Sequence, residues 1–323
     1  MEAVPIPAGN IAPAPDPDPW RAAPQETLKA VPAAGAIRRR ALATLLRRGA
    51  AGAPDPVVLR RGAAGAPDPV VLRRRAMIDA RRAHAYAALC GFGERCGIPP
   101  TFPHLLGFPL HMALLLRPGF PFPVIGLVHL ENTIRQHVRL ESADALEIEA
   151  RFAGWLAHDK GQALAIDTRA LRAGSLVWES RSVYLRLGAR DIRGRPHQPV
   201  ATPDAPLSTM LRLDLPASLG RRYATVSGDA NPIHTSAAAA RLFGFPRPIA
   251  HGMWSKARAI AALLPNAPVE TLTAAIAFKT PAFLPGGACL MAGPPGGTRL
   301  IELRDRRETK PHLRGTLAFR AAA

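Results

Sequence analysis

Cysteine is scarce. Three in 323 residues cannot build a disulfide framework, and Cys90, Cys96 and Cys289 lack the paired spacing of a metal site. A reducing compartment, the cytoplasm, is the expected location. Long apolar runs are also missing: the candidate stretch LGFPLHMALLL is too short to span a bilayer and is interrupted by Pro109 and His111. No membrane partner is expected. Residues 1–36 mix Pro and Ala with both signs of charge and lack the charged-then-apolar order of a secretory signal. Aromatic residues make up only 6%, and they do not interleave with the basic residues that give the chain its net charge of +18. Those basic residues are nearly all dispersed arginines with no binding motif, so no nucleic-acid partner is expected.

With 48% hydrophobic residues, the chain can bury one large or two ordinary domain cores. Residues 1–36, with PAPDPDP at their centre, read as a disordered leader. An exact tandem repeat follows, RRGAAGAPDPVVL at 47–59 and again at 60–72. One duplication is too short for a solenoid, so it reads as a surface insertion whose second VVLRR supplies the first strand.

The most informative stretch is SGDANPIHTSAAAARLFGFPRPIAHGM at 227–253. Asp229 and His234 flank Asn231-Pro232, so one bent loop can present a carboxylate and an imidazole that share acid and base roles on one water. Pro232 keeps Asn231 out of the α region and the loop open. Downstream, the run WSKARAIAALL suits a buried helix opened by His251-Gly252-Met253, whose unpaired N–H groups face developing negative charge past the bare Cα of Gly252. Taken singly, an Asp, Asn or His in such a loop is more often a turn former or cap than a catalyst, and Ser227 reads as a local cap.

The chain also repeats itself at longer range. Tyr86 to Phe92 echoes Tyr223 to Asp229, which sets Phe92 at the aspartate position; LLGFPLHM echoes FGFPRPIAHGM, which sets Met112 on Met253 and His111 on the glycine. The first half has then lost the active site. Strand-like segments follow each helix: GLVHLENTI, ALEIEARFAGWL, QALAIDTRAL and LVWESRSVYLRL, then TAAIAFKTPAFL, ACLMAG, TRLIELRD and HLRGTLAFR. A central helix followed by antiparallel strands, twice, is an α+β duplication. The expected division is an irregular leader over 1–69, a degenerate half over 70–190, a linker over 191–210 and a catalytic half over 211–323.

The 227–253 stretch resembles the MaoC-like family of (R)-specific enoyl-CoA hydratases and 3-hydroxyacyl-thioester dehydratases, in which S-G-D-x-N-P-x-H precedes a helix-opening H-G-M; AFKTPAFLPG at 277–286 resembles the family's next strand, and the resemblance extends back to about residue 70. It implies a double hot dog fold, two antiparallel sheets each wrapping a central helix, and reversible hydration of trans-2-enoyl thioesters to (3R)-3-hydroxyacyl thioesters. Asp229 and His234 would then hold the water, Asn231 would orient them, and Gly252 N–H would polarise the thioester carbonyl. Ser227, His251 and Met253 would border the substrate, with Phe108 and Phe122 in an apolar acyl tunnel built by the first half together with Phe102, Leu105, Leu106 and Phe120. No cofactor and no metal is implied, since the thioester carbonyl is itself the electron sink. The basic surface suits coenzyme A phosphates or an acidic acyl carrier protein, and a homodimer is compatible. Two alternatives stay open: a hot dog acyl-CoA thioesterase, and a non-catalytic acyl-thioester-binding subunit.

Overall fold

The computed structural model describes residues 19–28, 70–124, 126–202 and 204–322. The first copy of the tandem repeat and most of the second lie outside these residues; Val70, Val71 and Leu72, the end of the second copy, lie within them. In the first half the strands are β1 (Gln25–Thr27), β2 (Val71–Met77), β3 (Leu127–Gln136), β4 (Ala145–His158), β5 (Gly161–Arg172) and β6 (Ser175–Leu187). A short β7 (Arg195–Pro196) leads to β8 (Ser208–Leu215), β9 (Val269–Phe278), β10 (Gly286–Ala292), β11 (Arg299–Asp305) and β12 (Pro311–Ala321). The helices are α1 (Ala80–Cys90), α2 (Pro103–Leu115), α3 (Leu219–Ser227), α4 (Pro232–Thr235), α5 (Ala237–Leu242) and α6 (Gly252–Ala261).

Counted from its outer edge, each half has the same strand order, β2-β4-β5-β6-β3 in the first and β8-β10-β11-β12-β9 in the second. The two expected sheets are joined. β3 pairs antiparallel with β9 from Glu131↔Ala277 to Gln136↔Leu272, so the halves share one continuous sheet. The long helices α2 and α6 are apolar over most of their surface and are almost wholly buried, as a helix wrapped by a sheet must be. Fully buried Lys256 of α6 donates to Asn132 O (2.8 Å), Asn132 Oδ1 (2.6 Å) and Ala274 O (3.0 Å), and so ties α6 to both strands of the seam.

The first echo in the sequence has a structural counterpart. α1 ends at Cys90, with Gly91 at φ 76° and then Phe92; α3 ends at Ser227, with Gly228 at φ 83° and then Asp229. Tyr86 and Tyr223 are both buried with ring centroids 6.2 Å apart. The second echo fails. Met253 is the second residue of α6, whereas Met112 lies deep inside α2, because Pro103, pre-set for a helical first turn, starts that helix well before the matching letters. Pro103, not His111, occupies the position of Gly252.

The leader and linker also differ from expectation. Residues 19–28, expected to be irregular, pack on the first half: β1 runs parallel to β2, Leu28 N–H donates to Arg73 O (2.7 Å), and Trp20 lies over the guanidinium groups of Arg169 (4.3 Å) and Arg151 (5.1 Å). That segment lacked a hydrophobic period because its contacts are backbone pairing and ring-on-cation stacking. Within 191–210, β7 pairs with β4, β8 already begins at Ser208, and the side chain of Glu131 accepts from His197 Nε2 (3.1 Å) and Val200 N–H (3.0 Å). The prolines remove ladder donors without preventing the segment from lying against the sheet.

Candidate active site

Residues 227–234 are held by side chains that each accept the N–H two residues ahead. Ser227 Oγ takes Asp229 N–H (3.1 Å), Asp229 Oδ1 takes Asn231 N–H (3.2 Å), and Asn231 Oδ1 takes Ile233 N–H (3.3 Å), capping α4 with Pro232 at its first position. The chain therefore bends rather than continuing α3. Gly220, in the first turn of α3, makes room for it: a Cβ there would lie 1.9 Å from His234 O.

The imidazole of His234 has a defined tautomer. Its Nδ1 is 2.8 Å from Ile249 O, and a carbonyl only accepts, so Nδ1 carries the proton and Nε2 keeps its lone pair. His251 stacks on it with centroids 3.7 Å apart, backed by Tyr223 at 4.7 Å. By the same reasoning His251 Nε2 carries a proton and donates it to Asp229 O (3.0 Å). The other nitrogen of His251, Nδ1, is buried with no hydrogen-bond partner among the described residues. Donor atoms of Asp229, His234 and His251 lie within 4.8 Å of one another. With His234 Nδ1 and His251 Nε2 committed to backbone carbonyls, what faces the cavity is the Asp229 carboxylate and His234 Nε2. Two such acceptors suit the hydrogens of a water better than a full coordination sphere for a cation.

Burial sets the electrostatics. It raises the Asp229 carboxyl above its ordinary value against the opposing pull of His234, and it lowers His234 despite the neighbouring carboxylate. It also holds His251 well below the usual imidazole range, with His234 pushing in the same direction. Both shifts favour the uncharged form of each group, so the two titrate closer together than they would in water.

Gly252 is the first residue of α6, preceded by His251 in an extended conformation, and among the described residues no backbone carbonyl takes its N–H. A Cβ at this position would lie 3.1 Å from the ring of Phe278. Dyad and helix start open on one cavity of about 920 Å³. Ser227, Asp229, Asn231, His234, His251, Gly252, Met253 and Phe108 all line it, as does Ser255, the hydroxyl nearest the α6 start.

Phe122 does not line it. It packs against Phe120 and Trp155, at 6.1 and 5.8 Å between centroids, while Phe102 and Leu106 are buried core; of the expected tunnel residues only Leu105 and Phe108 reach the cavity. Phe120 and Phe122 lie past the end of α2, in a loop whose direction no periodicity betrays. Residues not foreseen from the sequence also line the cavity: His104 of α2, His129 of β3, Tyr184 of β6 and Phe278 of β9, with Lys160 and Lys279 accompanied by Glu131 and Asp159. His129 and Tyr184, 55 residues apart in sequence, are cross-strand partners stacked at 4.7 Å between centroids.

The fold and the loop after α3 define a class, a double hot dog protein whose second half sets Asp229 beside His234. Residues 193–284 match the family model described as MaoC like domain. The chain is 34% identical over 242 residues to 3-hydroxyacyl-thioester dehydratase X of Mycobacterium tuberculosis, covering 74% of this chain and 85% of that protein. It is 31% identical over 185 residues to the peroxisomal enoyl-CoA hydratase 2 of Arabidopsis thaliana, covering 51% of this chain and 58% of that one. The crystal structure of HtdX from Mycobacterium tuberculosis matches with a TM-score of 0.63 at 31% identity, over 78% of this chain and 100% of that chain. The chain belongs to the MaoC-like family.

Proposed function

We propose that the protein is a hydro-lyase that adds water reversibly to trans-2-enoyl thioesters, giving (3R)-3-hydroxyacyl thioesters. The observation that carries this is the fixed tautomer of His234, which turns a lone pair toward the cavity beside the Asp229 carboxylate and the free N–H of Gly252.

A water held between His234 Nε2 and the Asp229 carboxylate gives one proton to Nε2 as its oxygen bonds to C3. The electron pair of the C2=C3 bond moves toward the thioester carbonyl, whose oxygen is stabilised by Gly252 N–H; one such donor is worth about 100- to 1000-fold in rate. The imidazolium, held beside the carboxylate, then returns the proton to C2. Water is consumed whole and both protein groups regain their starting states. Asn231 fixes the loop and α4, and Ser227 fixes the aspartate; His251 supports the His234 ring and pins the Asp229 carbonyl. Met253 and Phe108 border the acyl chain. Lys160 and Lys279, which line the cavity, are the cations available to the phosphates of coenzyme A or to an acidic carrier protein.

Among the described residues no helix is long and apolar enough to cross a membrane, and Cys90, Cys96 and Cys289 are buried and unpaired, in keeping with a cytoplasmic enzyme. The test is an assay of the purified protein on crotonyl-CoA and longer trans-2-enoyl-CoAs, following loss of the enoyl thioester absorbance and the configuration of the product. Release of free coenzyme A without hydration would establish a thioesterase instead.

A further inference from the structure

Between the dyad and the apolar part of the cavity stands a collar of polar rings supplied by the first half. His104, His129 and Tyr184 line the cavity together; His104 is 6.1 Å from His129 and 5.5 Å from His111 between centroids, and His129 stacks on Tyr184. The collar adjoins the catalytic end, because His129 lies 5.1 Å from the Phe278 ring that packs on Gly252. Beyond it the side of the wall supplied by α2 is apolar. His104, Leu105, Phe108, Met112 and Leu115 lie on one face of α2, so the cavity follows that helix for roughly 16 Å at about 1.5 Å per residue.

Two of the collar rings have polar atoms to spare. His104 is 5% exposed, and neither of its ring nitrogens has a hydrogen-bond partner among the described residues; His129 Nε2 is likewise buried and unpartnered. His111, by contrast, is satisfied on both sides, by Tyr184 Oη (2.9 Å) and Thr168 Oγ1 (2.6 Å), and serves to fix the tyrosine. Burial keeps these imidazoles uncharged, lowering His111 and His129 to about 3 and holding His104 well below the usual imidazole range, where its histidine neighbours and Lys256 push in the same direction. A plain hydrocarbon chain threading the collar would leave these nitrogens without partners, which buried polar groups rarely tolerate.

Resting on the hydratase reading above, we propose that the acyl chain of the preferred substrate carries an uncharged oxygen function, a hydroxyl or an oxo group, a few carbons beyond C3, where His104 and His129 hydrogen-bond it, and an apolar tail beyond that along α2. Neutral imidazoles can donate to a ketone and accept from an alcohol, and they offer no counter-charge to a carboxylate.

The experiment compares kcat/KM of the wild-type protein on unsubstituted trans-2-enoyl-CoAs with that on chains of equal length bearing a hydroxyl or oxo group at successive positions from C5 outward. At one position the substituted substrate is expected to exceed its parent by at least about tenfold, the value of one buried hydrogen bond. In His104→Phe and His129→Phe that ratio falls toward one. Equal or lower kcat/KM for every substituted chain overturns the proposal while leaving the hydratase reading intact, and so does a wild-type preference that survives both substitutions. Failure to hydrate any member of the series overturns the hydratase reading itself.

Discussion

Replacing Asp229 by Asn and His234 by Ala separates the chemistry of the loop from its architecture. Asn at 229 keeps an oxygen where Oδ1 now accepts Asn231 N–H, so the turn into α4 survives and only the charge is lost. Ala at 234 removes the bond to Ile249 O and uncovers one face of the His251 ring, costing about 1–3 kcal/mol of stability without removing a core element. Each group acts on the same water, and loss of a positioned base typically lowers turnover by about 10²- to 10⁴-fold, roughly 3–5 kcal/mol of barrier. Both single variants should fall in that range for kcat on crotonyl-CoA, with cooperative melting retained. The double variant should be no more than modestly worse than the worse single one, since a water that has lost one partner gains little from the other. If either single variant kept more than about a tenth of wild-type turnover, or if the two losses multiplied, the shared-water mechanism would be wrong.

Acidity offers a second test. Burial raises the Asp229 carboxyl and lowers His234, and a proton taken up by either group disables the pair; kcat/KM should fall as the solution is made acidic and stay level from neutral into mildly alkaline solution. An alkaline limb near neutrality would mean that a protonated His234 is required. Gly220→Ala should displace the His234 backbone, since the new methyl would meet His234 O; kcat should drop by at least about tenfold, together with a lower melting temperature, and an unaffected enzyme would contradict the close approach. Deleting residues 1–28 removes the β1 ladder, the Trp20 stacking and the Glu26–Arg117 ion pair (2.8 Å), together about 2–4 kcal/mol, so calorimetry should show melting roughly 5–10 °C lower; an unchanged melting temperature would show that β1 contributes nothing. Because Phe92 occupies the place of the aspartate, titration with an unreactive enoyl-CoA analogue should give one site per chain, and two equivalent sites would refute the asymmetry.

The strands and the dyad loop could be read from the sequence because their determinants are local. β4, β5 and β6 follow the β-branched and aromatic segments almost residue for residue, and the loop from Ser227 to His234 is built from side chains that bond only two positions ahead. What stayed hidden depends on partners distant in sequence. Tyr184 meets His129 only through the β3–β6 register, and His104 joins them only because Pro103 starts α2 where it does. β1 was invisible for the same reason, its three residues acquiring a strand conformation from β2 alone. The LLGFPLHM echo misled because apolar helix interiors resemble one another, whereas the Tyr86 echo corresponds to a shared helix ending.

Lys256 makes the two halves non-interchangeable. Counting from the first residue of each long helix, its counterpart in α2 is Gly107, so the seam between β3 and β9 receives one lysine and not two. The glycine site has no space for a second: a Cβ there would already lie 2.8 Å from Thr168 Cγ2. A catalytic half pairing with its own copy across the same seam would bring two lysines to a row of carbonyls that now satisfies one, and neither would find the Asn132 side chain. The interior therefore distinguishes the two halves, and an isolated catalytic half should be unable to replace its lost companion with itself.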